Sequence, residues 1–106
     1  MTVNGLYINI SASEFHFNSA LQGGVLRTSG SNMHATIRMS EFSNNNASQG
    51  GVVYASNSAI LVHDVDVYLN SANLGVMYLI DSTGIFSGST QFSENQGSLF
   101  VFNIYF

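Results

Sequence analysis

The stretch FSNNNASQGGVVYAS, residues 42–56, decides how this chain is read. It sets an aromatic residue, a run of Asn, a glycine pair and a β-branched run in that order. Three other regions repeat the order imperfectly. An apolar residue is followed three positions later by Asn at Phe15 and Asn18, Phe42 and Asn45, Val67 and Asn70, and Phe92 and Asn95. The Asn positions lie 27, 25 and 25 residues apart. A second anchor follows each: QGGVL from Gln22, QGGVV from Gln49, LGVMY from Leu74 and QGSLF from Gln96. The residue before each apolar anchor is Glu14, Glu41, Asp66 or Gln91, and five residues before the anchor stand Ile10, Ile37, Val62 and Ser87.

A period near 25 residues admits helical and β repeats, and composition arbitrates between them. The apolar runs are short and rich in β-branched and aromatic residues, as in GLYINI, GVVYA and AILVHDVDV. They are separated by SASE, TSGSN, SNNNASQ and STG, which are turn compositions. Alternation in YINI and VDV gives one inward and one outward face. The chain has no Pro, as suits a molecule built of paired strands. The expected fold is therefore all-β: a right-handed parallel β-helix of about four coils, divided near residues 1–22, 23–49, 50–74, 75–96 and 97–106. In it Phe15, Phe42, Val67 and Phe92 form an interior stack, and Asn18, Asn45, Asn70 and Asn95 an amide ladder. Gly23 and Gly24, Gly50 and Gly51, Gly75 and Gly97 turn the chain into the next strand. In the third and fourth copies Val76 and Ser98 stand where the second glycine is expected. The chain is read as one domain or a slice of a longer solenoid. Its closing SLFVFNIYF is expected to form an open edge.

The pairing of FxxN with GG and small or β-branched residues resembles the repeat family of chlamydial polymorphic outer membrane proteins, defined by FxxN and GGAI motifs. The matching residues are Phe15, Asn18, Gly23, Gly24, Val25 and Leu26, then Phe42, Asn45, Gly50, Gly51, Val52 and Val53. Val67 with Asn70 and Phe92 with Asn95 match in part, and Val25 and Val52 replace the Ala of GGAI. The resemblance covers about residues 15 to 102. It implies a right-handed parallel β-helix at the cell surface or secreted, often an adhesin.

Charge excludes several functions. The chain carries a net charge of −4, with Arg27 and Arg38 as its two basic residues. Phosphate backbones and anionic membranes need clusters of Lys or Arg, so neither is an expected partner. No run is long and apolar enough to span a bilayer as a helix. There is no cysteine, which removes disulfides and thiolate zinc sites. His16, His34 and His63 fall at different offsets from the anchors, so no histidine metal column is expected. No cofactor is implied.

The densest ionisable cluster is HDVD, with His63, Asp64 and Asp66. Asp64 and Asp66 are expected two apart on a strand and so to face one side, as a polysaccharide-active site needs. Neither Arg lies in that repeat copy, and Asp66 falls in the column of Glu14, Glu41 and Gln91. A solvated strand face is the reading favoured. Asn9 in NIS and Asn46 in NAS are glycosylation acceptors by motif, with Asn46 expected in the turn loop. The function expected is an extracellular or cell-surface scaffold, adhesive or structural and non-catalytic. Its partners would be a host or neighbouring-cell surface, a glycan, or copies of itself. Binding would use the sheet faces and the loops with Thr28, Asn44, Asn45 and Asn46. The alternatives are a fragment of a polysaccharide-active enzyme centred on Asp64 and Asp66, or a self-stacking filament subunit.

Overall fold

Short alternating runs bury no core alone; winding them into a coil turns each inner face toward the others. The computed structural model describes residues 2–3, 7–28, 33–97, 100–101 and 104–105. The TSGSN loop beyond Thr28, the Ser98 position and most of SLFVFNIYF lie outside them. The fold is all-β, 67% strand, with parallel sheets stacked as a β-solenoid. It makes about three turns rather than about four.

Each full coil spends four short strands on four faces. The first carries β1 (Thr2–Val3), β2 (Tyr7–Ser11), β3 (Glu14–His16) and β4 (Ser19–Gln22). The second carries β5 (Leu26–Thr28), β6 (Met33–Arg38), β7 (Glu41–Ser43) and β8 (Asn46–Gln49). The third carries β9 (Val53–Ser56), β10 (Ser58–His63), β11 (Asp66–Tyr68) and β12 (Ser71–Leu74). Then follow β13 (Met77–Ile80), β14 (Thr83–Ser87), β15 (Gln91–Ser93), β16 (Phe100–Val101) and β17 (Ile104–Tyr105). Strands of like place pair in parallel. Sheet A is β1-β5-β9-β13-β16, sheet B β2-β6-β10-β14-β17, sheet C β3-β7-β11-β15 and sheet D β4-β8-β12.

The register places the anchors in columns. Phe15 pairs with Phe42, Phe42 with Val67 and Val67 with Phe92. Coil length varies, and the corners absorb the variation. Glu14 is matched by Glu41, 27 residues on, Glu41 by Asp66, 25 on, and Val53 by Met77, 24 on. Two readings of the sequence change as a result. Val52 and Val53 both donate to Val76 O, just as Val25 and Leu26 donate to Val52 O. Val76 therefore continues the column of Val25 and Val52, and the second glycine is deleted from that coil rather than replaced. An extra residue near Gly88 likewise puts Phe86, not Ser87, in the column of Ile10, Ile37 and Val62.

Three of the four corners follow one rule, with Val65 after Asp64 as an exception. A residue in the left-handed conformation bends the chain, and the next residue turns a short polar side chain inward to tie adjacent coils. Between sheets C and D the bending residues are Phe17, Asn44, Leu69 and Glu94, with φ of 57°, 56°, 56° and 52°. The ties that follow are Asn18, Asn45, Asn70 and Asn95. Asn45 N–H and its amide both donate to Asn70 Oδ1 at 2.9 Å. Asn70 Nδ2 reaches back to Phe42 O at 2.9 Å. Between sheets B and C, Ala12 and Met39 bend and Ser13 and Ser40 tie: Ser13 N–H donates to Ser40 Oγ at 3.2 Å, and Ser40 donates to Arg38 O at 2.7 Å. Between A and B, Asn57 and Asp81 bend while Ser58 N–H donates to Ser82 Oγ at 3.0 Å. The corner from D to A uses glycine regularly, with φ of 68°, 65° and 58° at Gly23, Gly50 and Gly75, and Gly88 with φ of 67° bends the corner from B to C before β15.

Left-handed geometry costs an ordinary residue about 1–2 kcal/mol. The ties offset it by pairing corner N–H groups that would otherwise be buried without partners. Inside, Leu26, Met33, Ile37, Phe42, Ile60, Met77 and Leu79 are buried, each contributing roughly 1.5–3 kcal/mol. Phe15 and Phe42 stack with centroids 5.2 Å apart. Phe92 departs from the expected interior stack: it is 38% exposed and meets Phe86 edge to face, because no strand lies below β15 among the described residues.

A Cβ on Gly50 would fall 2.2 Å from Val53 O at φ +65°, so Gly50→Ala is expected to destabilise by about 2 kcal/mol or more in urea unfolding. Asn70→Ala strands Asn45 N–H and Phe42 O inside and should cost about 2–4 kcal/mol. Asn18→Ala, at the exposed head of the ladder, should cost under about 1 kcal/mol by the same measurement.

Candidate functional site

Outward residues of sheet C stack as strictly as inward ones. Glu14, Glu41, Asp66 and Gln91 occupy one column. His16, Ser43, Tyr68 and Ser93 occupy the next. The corner from sheet B brings Asp64 beside them, and Glu14, Glu41, Asp64 and Asp66 line one open groove of about 600 Å³. Asp64 has φ of 53° and stands in the corner between β10 and β11. The two aspartates therefore do not share a strand, and strand alternation is not what gathers them. The groove does.

Partners of these carboxylates come from neighbouring coils. Tyr68 O–H donates to Glu41 Oε1. His16 Nε2 sits 3.7 Å from Glu14 Oε2 and 3.8 Å from Glu41 Oε1, while its Nδ1 is hydrogen-bonded to Ser43. His63 Nε2 lies 3.1 Å from Asp64 Oδ2, and its Nδ1 is 2.9 Å from Ser87 Oγ. Asp64 Oδ1 also accepts Ser89 N–H at 2.7 Å, which caps the corner.

A Ser87–His63–Asp64 series has the residue types of an acid–base relay. The same neighbour pairing recurs at His16 and Ser43, where the serine is 2% exposed and open to no substrate. The pairing thus follows from parallel register: a histidine one coil from a serine reaches it. Among the described residues no three His, Asp or Glu side chains are gathered to hold a metal ion.

The loop residues divide sharply. Asn44 and Asn46 are exposed, whereas Asn45 is 1% and Thr28 0% exposed. Asn45 is spent on the ladder, and Thr28 donates to Ser58 Oγ at 3.0 Å. Neither offers a binding surface. Asn46 begins strand β8 instead of lying in a turn loop, and its Oδ1 accepts from Ser71 Oγ at 2.9 Å. Asn9 is exposed on the edge strand β2. On sheet A, Tyr54 and Tyr78 stack 5.3 Å apart under Arg27, whose guanidinium lies 5.9 Å from the Tyr54 centroid. Their ring faces are turned along the axis rather than outward.

The hydroxyl ties were legible in the sequence but missed by the anchors. Ser13, Ser40 and Thr90 each precede a ladder Asn by five residues, with Val65 as the exception.

Among the described residues, Tyr68 has a phenol whose ionisation is shifted in a definite direction. Donation to Glu41 holds its phenol above the usual value near 10, with burial and the charges of Glu41 and Asp66 adding to the rise and a bond to Ser43 opposing it. A folded pKa above the unfolded one means the bond stabilises below about pH 10 and is lost as pH rises through the raised value. Absorbance titration at 295 nm should show one phenol ionising after the others. Glu41→Gln should return it toward them.

No family model, curated protein or solved structure matches the chain.

Proposed function

We propose that this chain is a repeat module of an extracellular or cell-surface protein, an adhesive or structural scaffold that binds without turning over a substrate. The observation that supports this most is how the polar side chains are spent. The amides and hydroxyls at three of the four corners tie coil to coil, as at Asn70, at Ser40 where it accepts from Ser13 N–H, and at Ser82 where it accepts from Ser58 N–H. What remains outside is a set of broad, weakly charged sheet faces with Asn44, Asn46 and Asn73 at the rim. The resemblance to FxxN and GGAI repeats points the same way. Such a surface suits contact with a glycan or another cell's surface, through many weak polar contacts along the stacked coils.

The groove of Glu14, Glu41, Asp64 and Asp66 favours a second reading, a polysaccharide-active fragment. Carboxylates are the groups such chemistry requires, but no Arg lines the groove. A self-stacking filament subunit is the third.

The test separates them. Beads coated with the protein are scored for retention on a glycan array and on cells, and the same glycans are assayed for cleavage products. Saturable retention with no new reducing ends, unchanged in the Asp64→Asn/Asp66→Asn variant, is expected. Glycan cleavage that the double variant abolishes would overturn the scaffold reading in favour of the enzyme. Intact-mass analysis of protein from its natural source adds the location: hexose-spaced heterogeneity mapping to Asn9 or Asn46 would mark a secreted glycoprotein.

A further inference from the structure

Sheet A carries a column of aromatic and cationic side chains on its outer face. Along β9, Val53 and Ala55 turn inward and Tyr54 and Ser56 outward; along β13, Met77 and Leu79 turn inward and Tyr78 and Ile80 outward. The register sets Arg27 against Tyr54, Tyr54 against Tyr78 and Tyr78 against Phe100. The two phenol rings are parallel to within 5°, with centroids 5.3 Å apart. The guanidinium of Arg27, one coil above, lies over Tyr54 at 5.9 Å from its centroid. Both rings are half-buried, so small solutes reach them.

The other tyrosines have different neighbours in register. Tyr7 stands against His34, Tyr68 stands between Ser43 and Ser93, and Tyr105 is matched to Ile85. Among the described residues, Tyr54 and Tyr78 are the pair of phenols that the parallel register brings together. Stacking two like phenols adds nothing to charge balance. It matters for radical coupling, where two short-lived partners must meet, because holding them side by side makes the encounter intramolecular.

We propose that Tyr54 and Tyr78 form an oxidative cross-linking site, with hydrogen peroxide acting through a haem peroxidase as the co-reactant. Each phenol gives up one electron and one proton and becomes a phenoxyl radical. The peroxide takes up the two electrons and two protons and leaves as two waters. The radicals couple through ring carbons ortho to the hydroxyls, forming one C–C bond. The hydrogen on each of those carbons then moves to its oxygen, which restores both aromatic rings. Coupling needs the rings to pivot about χ1 and χ2, which outward, half-buried side chains do without moving the strands. The new bond clasps β9 to β13 through residues 24 apart in sequence (78 − 54). A chain without cysteine has no disulfide to serve that purpose. The proposal goes beyond the scaffold reading and is decided without it, because the oxidant is supplied in the assay.

Dilute 106-residue protein is treated with a haem peroxidase and limiting hydrogen peroxide, then cleaved at aspartate. Asp64 and Asp66 lie between the two tyrosines, so cleavage separates Tyr54 from Tyr78 unless they are joined. The expected product is a monomer with the blue emission of a coupled bis-phenol. It should yield one joined peptide, lighter by two hydrogens than the sum of its parts. Tyr54→Phe and Tyr78→Phe each keep a ring in the stack and should each lower that yield by about tenfold or more, whereas Tyr7→Phe should leave it unchanged. The coupled protein should also resist urea, its unfolding equilibrium constant falling by about a hundredfold, as for a cross-link closing a loop of this length. Undiminished coupling in Tyr78→Phe, a yield no higher in folded protein than in urea, or products that are mostly dimers overturns the proposal. So does the absence of the joined peptide where free N-acetyltyrosine couples under the same conditions.

Discussion

Backbone hydrogen bonding fixes neighbouring coils at about 4.8 Å, and almost everything else in the molecule answers to that spacing. At such a distance each side chain meets the residue at the same place one coil away. A residue is admissible only if it can lie against its own column. Flat rings can, as Phe15 does on Phe42 and Tyr54 on Tyr78. Amides can, because each both donates and accepts. Carboxylates cannot without help, and Glu41 has it from the Tyr68 hydroxyl and the nearby His16 ring.

The corners show how that constraint governs backbone strain. Four bends per coil need residues with positive φ, and the chain supplies glycine at only one of them with regularity. Phe17, Met39 and Leu69 bend elsewhere, and their side chains point to solvent, 80%, 62% and 46% exposed. A bulky residue is tolerated there because its neighbour is locked. The strain of the bend and the tie that follows it form a unit repeated up the stack.

Fold class was legible because columns repeat in the sequence at the same period as in space. The anchors at Phe42, Asn45 and Gly50 gave the coil length and the face each residue takes. Less visible was where a coil gains or loses a residue. Val76 looked like a replaced glycine and Ser87 like a core position, since sequence alignment distributes a deletion without knowing which corner absorbs it. The groove was hidden for another reason. Glu14, Glu41, Asp64 and Asp66 lie on three coils, and Asp64 reaches the others from a left-handed corner set inside the run AILVHDVDV, which reads as one continuous strand. Thr28 and Asn45 misled in the opposite direction: polar residues in turn-like stretches read as surface, yet both serve the interior.

The amide ladder has a consequence for the medium the protein can occupy. Ions in solution screen interactions between charges, so a stack held together by ion pairs would loosen as ionic strength rises. Asn and Ser ties are neutral. The bonds that clasp one coil to the next are therefore indifferent to whether the surroundings are fresh or saline.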